Sequence, residues 1–185
     1  MTAPRAQVAS VTDDDVLDHT EGKPDVTTKG DFTEDEWSRI VRAPFVAGMA
    51  ITLADPGGPI EATKETLATL KSATNPPSRE QLLAEVALEI QAMTQRRESP
   101  LGGYRPAAEG APPGEQVLEE LRAAHTLVAA KATPDEAAAF GEWLVAAARA
   151  AAEAAKEGGF MGFGAQRVSD REEAMLDQVR AAVSG

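Results

Sequence analysis

The chain contains no cysteine, so disulfide bonds, thiolate zinc sites and cysteine nucleophiles are outside its chemistry. Histidine is nearly absent as well. Only His19 and His125 occur, and the close array of nitrogen or sulfur ligands that zinc hydrolysis needs is missing. No run approaches the ~18 apolar residues of a membrane-spanning helix; the alanine-rich stretch 144–155 is interrupted by Arg149 and Glu153. The opening residues MTAPRAQVASVTDDDVLDHTEGK lack the apolar segment of a secretory signal, so a cytoplasmic protein is expected. There is no GxSxG elbow for a serine nucleophile, and no Walker lysine accompanies the glycines of GGFMGFG at 158–164. Positive charge is also short: 18 basic against 30 acidic residues give a net charge of −12, and the only adjacent basic pair is Arg96–Arg97. The average field repels phosphate backbones and anionic headgroups, which argues against a nucleic-acid partner.

What is present reads as helix. At 185 residues the chain fits one domain with a tail, and a globular part of about 150 residues buries roughly 68–70 % of its unfolded surface. Residues 1–31 hold seven acidic and three basic residues with no sustained period, and are expected to be a disordered acidic N-terminal tail, either simply solvated or a partner-binding segment. The helical domain is expected over 32–185. Its first signal is DFTEDEWSRIV, where Thr33 and Glu36 match a capping box and Phe32 and Trp37 a hydrophobic staple. The start signal recurs at Ser78/Gln81, at Thr133/Glu136 with Pro134 in the first helical position, and at Ser169/Glu172.

Six helices follow from the apolar periods. The first spans about 34–54, with Pro44 expected to kink or split it. The second opens at Pro59 and points Ile60, Leu67 and Leu70 inward. The third covers 79–97, with Leu82, Val86, Ile90 and Met93 on one face. An exposed Pro/Gly linker, ESPLGGYRPAAEGAPPG, occupies 98–114. Helices at 115–131, 134–157 and about 170–183 complete an all-α single bundle. The alanine face of 134–157 lets neighbouring axes approach toward the low end of ~8–10 Å, which predicts a central helix.

Two segments, FVAGMAITLADPGGPIEATKETLATL (45–70) and WLVAAARAAAEAAKEGGFMGFGAQRVSDREEAMLDQV (143–179), share the order helix, acidic residue, Gly-Gly turn, apolar residue and acidic helix start. They suggest two pseudo-repeated helical hairpins, set against chance similarity between alanine-rich helices. At these residues the chain resembles the tellurite-resistance TerB-like helical fold. The stretch AAKEGGFMGFG…VS is in turn similar to the C-terminal end of an uncharacterised bacterial helical family. The TerB-like resemblance implies a link to stress response and an acidic surface that holds a divalent metal ion. Carried over by position, it nominates Asp55, Glu61 and Glu65 in the first unit, with Glu157, Asp170 and Glu173 in the second. The chain departs from that pattern where Pro56 and Pro59 flank the first glycine pair and Phe160–Phe163 lengthen the second turn.

Residue chemistry alone offers less. Oxygen ligands could come from DDD at 13–15 or DPGGPIE at 55–61, neither of which matches the twelve-residue calcium loop. Acidic residues in a first turn are already explained by the helix dipole. His125, at the edge of an apolar face, reads as a part-buried structural histidine. Phe160, Met161 and Phe163 have two readings: a lid over the end of the bundle, or an exposed docking tip for a protein groove or an apolar ligand. The expectation that results is a non-enzymatic helical protein acting by protein-partner binding, with no cofactor required. The alternative is a TerB-like carboxylate protein that binds a divalent metal.

Overall fold

The computed structural model describes residues 26–154 and 168–184. These residues form a short 3₁₀ turn, Lys29–Asp31, and six α-helices: α1 (Glu34–Ala54), α2 (Pro59–Ala73), α3 (Gln81–Gln95), α4 (Pro113–Lys131), α5 (Pro134–Ala154) and α6 (Asp170–Ala182). Among the described residues there is no strand. The protein is an all-α bundle of the kind that the periodicity specifies. The turn expected as the site of Phe160, Met161 and Phe163 lies outside the described residues, as do Glu157 and residues 1–25.

Helices α1 and α5 each pack against all five others, so the bundle has two central members. Both carry small residues where neighbours come close. Ala43, Ala47, Gly48 and Ala50 are buried on α1, and Ala147, Ala148, Ala151 and Ala152 on α5. Around them lie the large side chains of the interior, among them Trp143, Phe140, Ile40, Ile51, Leu83 and Leu121. Trp143 meets Phe140 edge-on at 6.4 Å and donates its indole N–H to the Ser72 carbonyl at 3.0 Å, which ties α5 to the C-terminal end of α2. Pro44 neither splits nor ends α1. It is buried within a helix that runs continuously to Ala54.

Three of the four start signals form as the sequence specifies. Thr33 Oγ1 accepts from Glu36 N–H while the Glu36 carboxylate accepts from Thr33 N–H; Thr133/Glu136 and Ser169/Glu172 do the same. The staple beneath the first box is also in place, with the Phe32 and Trp37 rings 6.0 Å apart. The fourth signal gives way. Helix α3 begins at Gln81 with Glu80 before it, and Ser78 Oγ accepts from the Glu80 N–H instead. A free N–H at that end, Leu82 N, is met by a carboxylate from another helix: Glu136 Oε1, at 3.4 Å.

Glu136 receives more than that one donor. Thr27 gives its N–H to Oε1 at 3.3 Å and its hydroxyl to Oε2 at 2.6 Å, while Thr133 gives its N–H and its hydroxyl to Oε2, each at 3.1 Å. The residues just before Phe32 are therefore packed on the bundle. Thr27 is fully buried, and Thr28 N–H bonds the Asp31 carboxylate at 2.8 Å. Lys29 reaches α3 through its N–H to Glu85 and its ammonium to Glu89, each at 2.8 Å. Composition placed 27–31 in the tail because that test sees apolar content only, and the anchor here is polar.

The connection between α3 and α4 is largely exposed, yet it is fastened. Gln116 accepts from Ala107 N–H at 2.7 Å and donates to the carbonyls of Ala107 and Ala111. Tyr104 lies under the Arg42 guanidinium, 5.4 Å from ring centre to charge. Arg39 and Arg42 both reach Glu120 Oε1, joining α1 to α4.

Helices α1 and α2 cross at Gly48. A Cβ there would lie 2.3 Å from Thr69 Oγ1 and 2.8 Å from Thr69 Cγ2, and Thr69 is held in place by its hydroxyl bond to the Glu65 carbonyl at 2.8 Å. Gly48→Ala is expected to lower unfolding stability by about 1–3 kcal/mol, the range for overpacking a fitted contact. Urea denaturation checks it, and an unchanged midpoint would show that the crossing has slack. A second expectation concerns acid. Burial pushes the Glu136 carboxyl up, but the Thr27 hydroxyl and the Thr133 and Thr27 donors outweigh it and hold it below the ordinary glutamate value of 4.5. A depressed folded value means stability that is complete above the ordinary value and lost as pH falls through the folded one. Glu136→Gln should cost about 1.5–3 kcal/mol at pH 7, and the gap to wild type should shrink on titration below pH 4.5. A gap constant with pH would remove the charge from this account.

Candidate functional site

The carboxylates nominated as metal ligands are placed apart in role. Glu65 is buried against α1, where its carboxylate accepts the Thr52 hydroxyl. Glu61, in the first turn of α2, lies back over the glycine turn, its Oε2 2.8 Å from where a Cβ on Gly58 would stand. Asp55 faces α6, 3.9 Å from the Arg171 guanidinium. Among the described residues no group of three or more histidines and carboxylates stands close enough together to hold a metal ion. Asp170 and Glu173 are exposed at the start of α6, so Glu173 and its counterpart in the suggested repeat, the buried Glu65, occupy opposite settings.

Helix α2 differs most from its expected orientation. Leu70 is half-buried, but Ile60 and Leu67 are 69 % and 65 % exposed, and the buried positions are Glu65, Thr69 and Ala73. The cause lies on α1. Gly48 and Thr52 leave room for a short hydroxyl side chain and supply a hydrogen-bond donor for a carboxylate, but leave no socket for leucine. The fully buried positions of α2 are thus polar or small, Leu70 packs half-buried against the core, and Ile60 and Leu67 turn outward.

Leu67 borders a groove of about 690 Å³ between α2 and the C-terminal half of α5, open to solvent. Ala68, Ala150 and Ala154 line it with small side chains, and Lys64, Lys71 and Glu153 add charge. Positions 60, 64, 67 and 71 recur at the four-three spacing of one helical stripe, alternating apolar and cationic. That alternation was the available signal in the sequence. It was overridden by the default that puts leucines inside.

A second groove, about 670 Å³, runs between α4, α5 and α6 and includes His125, Ala137, Gly141, Val145, Arg149 and Arg180. His125 is buried, further in than the part-buried place expected at the edge of its apolar face. Its Nε2 packs 3.3 Å from where a Cβ on Gly141 would sit, and that same Cβ would meet the Val183 carbonyl at 2.6 Å, so Gly141 is the point where three helices converge. Arg180 is engaged with Asp177 at 2.5 Å. This groove has no large exposed apolar side chain along it, unlike the α2–α5 groove with Leu67 at its edge.

No family model, curated protein or solved structure matches the chain.

Burial holds the His125 imidazole below its ordinary value of 6.5, against the smaller opposing pull of a hydrogen bond to the Ala137 backbone. Its ring resonances in a proton NMR titration should therefore move with a midpoint below pH 6.5. A midpoint at or above that value would mean that the ring is solvated and that the contact with Gly141 is loose.

Proposed function

We propose that this is a non-enzymatic helical protein that acts by binding a protein partner, and that the α2–α5 groove is the surface it uses. The observation that carries this reading is the outward Leu67, 65 % exposed beside a groove floored with alanine, with Ile60 continuing the stripe. Exposed apolar surface next to a concave, small-residue floor suits helix-in-groove recognition, in which a partner helix lays its apolar face into the cleft. Alanine lets such a helix approach toward the low end of the ~8–10 Å range of interaxial distances. The fold supports this use because the groove is built on two long helices, one of them central to the bundle, and so is preformed.

A photo-crosslinking residue placed at Leu67 and activated in cells should give a discrete protein adduct, whereas the same residue at Leu88, equally exposed on α3, should not. Ile60→Ser combined with Leu67→Ser should abolish binding of the cross-linked partner while shifting stability by no more than about 0.5 kcal/mol, as for other surface substitutions. Equal adducts at both positions, or a partner retained by the double variant, would dismiss the groove.

A further inference from the structure

We infer that the partner surface is an acidic amphipathic helix, with apolar residues set on Leu67 and the alanine floor and carboxylates set on Lys64 and Lys71. The inference rests on the partner-binding reading above and gives that partner its chemistry. In a chain of net charge −12, two lysines stand on one stripe of α2, flanking an exposed leucine at the edge of a groove. Neither forms an ion pair among the described residues, although Lys29 and Lys131 do, with Glu89 and Glu36. Placement at a helix C-terminus accounts for Lys71 through the dipole, but not for Lys64, which lies in the middle of α2.

Spacing narrows the occupant. Residues seven apart on a helix are separated by about 10.5 Å along its axis. A partner helix lying along α2 meets both ammonium groups with two carboxylates seven residues apart, and the residues three and four positions between them face Leu67. The remaining charge in the groove, Glu153, lies on the opposite wall on α5 and disfavours a second carboxylate row there. That asymmetry fixes which side of the partner turns toward α2. A second copy of this chain is a poor occupant, because a two-fold contact through this stripe sets Lys64 and Lys71 against the same residues of the other copy.

The test uses the full chain and two labelled synthetic peptides of about 18 residues, longer than the ~12–15 below which isolated helices are marginal. One has leucines at the third and fourth positions between glutamates seven apart; the other has lysine in place of each glutamate. Fluorescence anisotropy should show the acidic peptide binding at least about tenfold more tightly than the basic one, with an affinity that falls as salt rises. Lys64→Glu with Lys71→Glu should reverse the preference, and circular dichroism should show these changes, one half-buried and one exposed, leaving the helices intact. Equal binding of both peptides, or an acidic-peptide affinity indifferent to the double reversal, overturns the inference. So does a concentration-dependent dimer in sedimentation that Leu67→Ser abolishes, since a second copy then covers the groove. A rise of about tenfold in acidic-peptide affinity on Phe160→Ala with Phe163→Ala also overturns it, because the chain's own segment is then the occupant. The two readings fail separately. A cross-link at Leu67 that persists while the acidic peptide does not bind keeps partner binding and rejects the acidic helix; loss of the cross-link rejects partner binding itself.

Discussion

Five donors from three places in the chain converge on one buried carboxylate, that of Glu136. Thr27 arrives from the segment before α1, Leu82 from the first turn of α3, and Thr133 from the cap of the helix that carries Glu136 itself. A carboxylate withdrawn from water costs several kcal/mol unless its lone pairs are met, so this side chain requires all three segments to be present together. It couples the start of α5, a central helix, to the start of α3 and to the segment before α1. Local capping and tertiary assembly are the same event at this position.

From that junction the bundle is organised by how closely its central helices let others approach. The alanines of α5 and Gly48 of α1 bring axes together, and the side chains opposite must be short or hydrogen-bonded. Thr69 and Glu65 fill that role on α2. Once the fully buried positions of a 15-residue helix are taken by threonine, glutamate and alanine, Ile60 and Leu67 are left facing out while Leu70 packs at the edge. The outward stripe of α2 is therefore a packing consequence of a glycine on another helix.

Legibility in the sequence follows the range of the interactions. Helix starts set by a residue and its third neighbour were readable, and Thr33, Thr133 and Ser169 cap as written. Helix existence and the central place of α5 were readable from period and alanine content. What failed depended on contacts distant in sequence. Ser78 yields its capping role where Glu136, more than fifty residues away, meets the Leu82 N–H of α3. Thr27 looks like tail because a hydroxyl bond to that same carboxylate has no apolar signature. Ile60 and Leu67 look like core until Gly48 and Thr52 are known to lie opposite. The site was legible only in part: the stripe at 60, 64, 67 and 71 is visible in the sequence, but which way it faces is decided across the α1–α2 crossing.

The strap between α3 and α4 has an implication of its own. Gly102, Gly103 and Gly110 all adopt positive φ in open surroundings, where a side chain would touch nothing. The backbone there is shaped by its own turns and by the Gln116 clasp, and no interior contact depends on those glycines. Cutting the strap would yield two three-helix pieces, each deprived of a complete interior, because α1 belongs to one and packs on α4, α5 and α6 of the other. Neither half is a domain. Each half supplies surface that closes the other's interior, which makes the molecule a natural candidate for division into a pair of mutually dependent fragments.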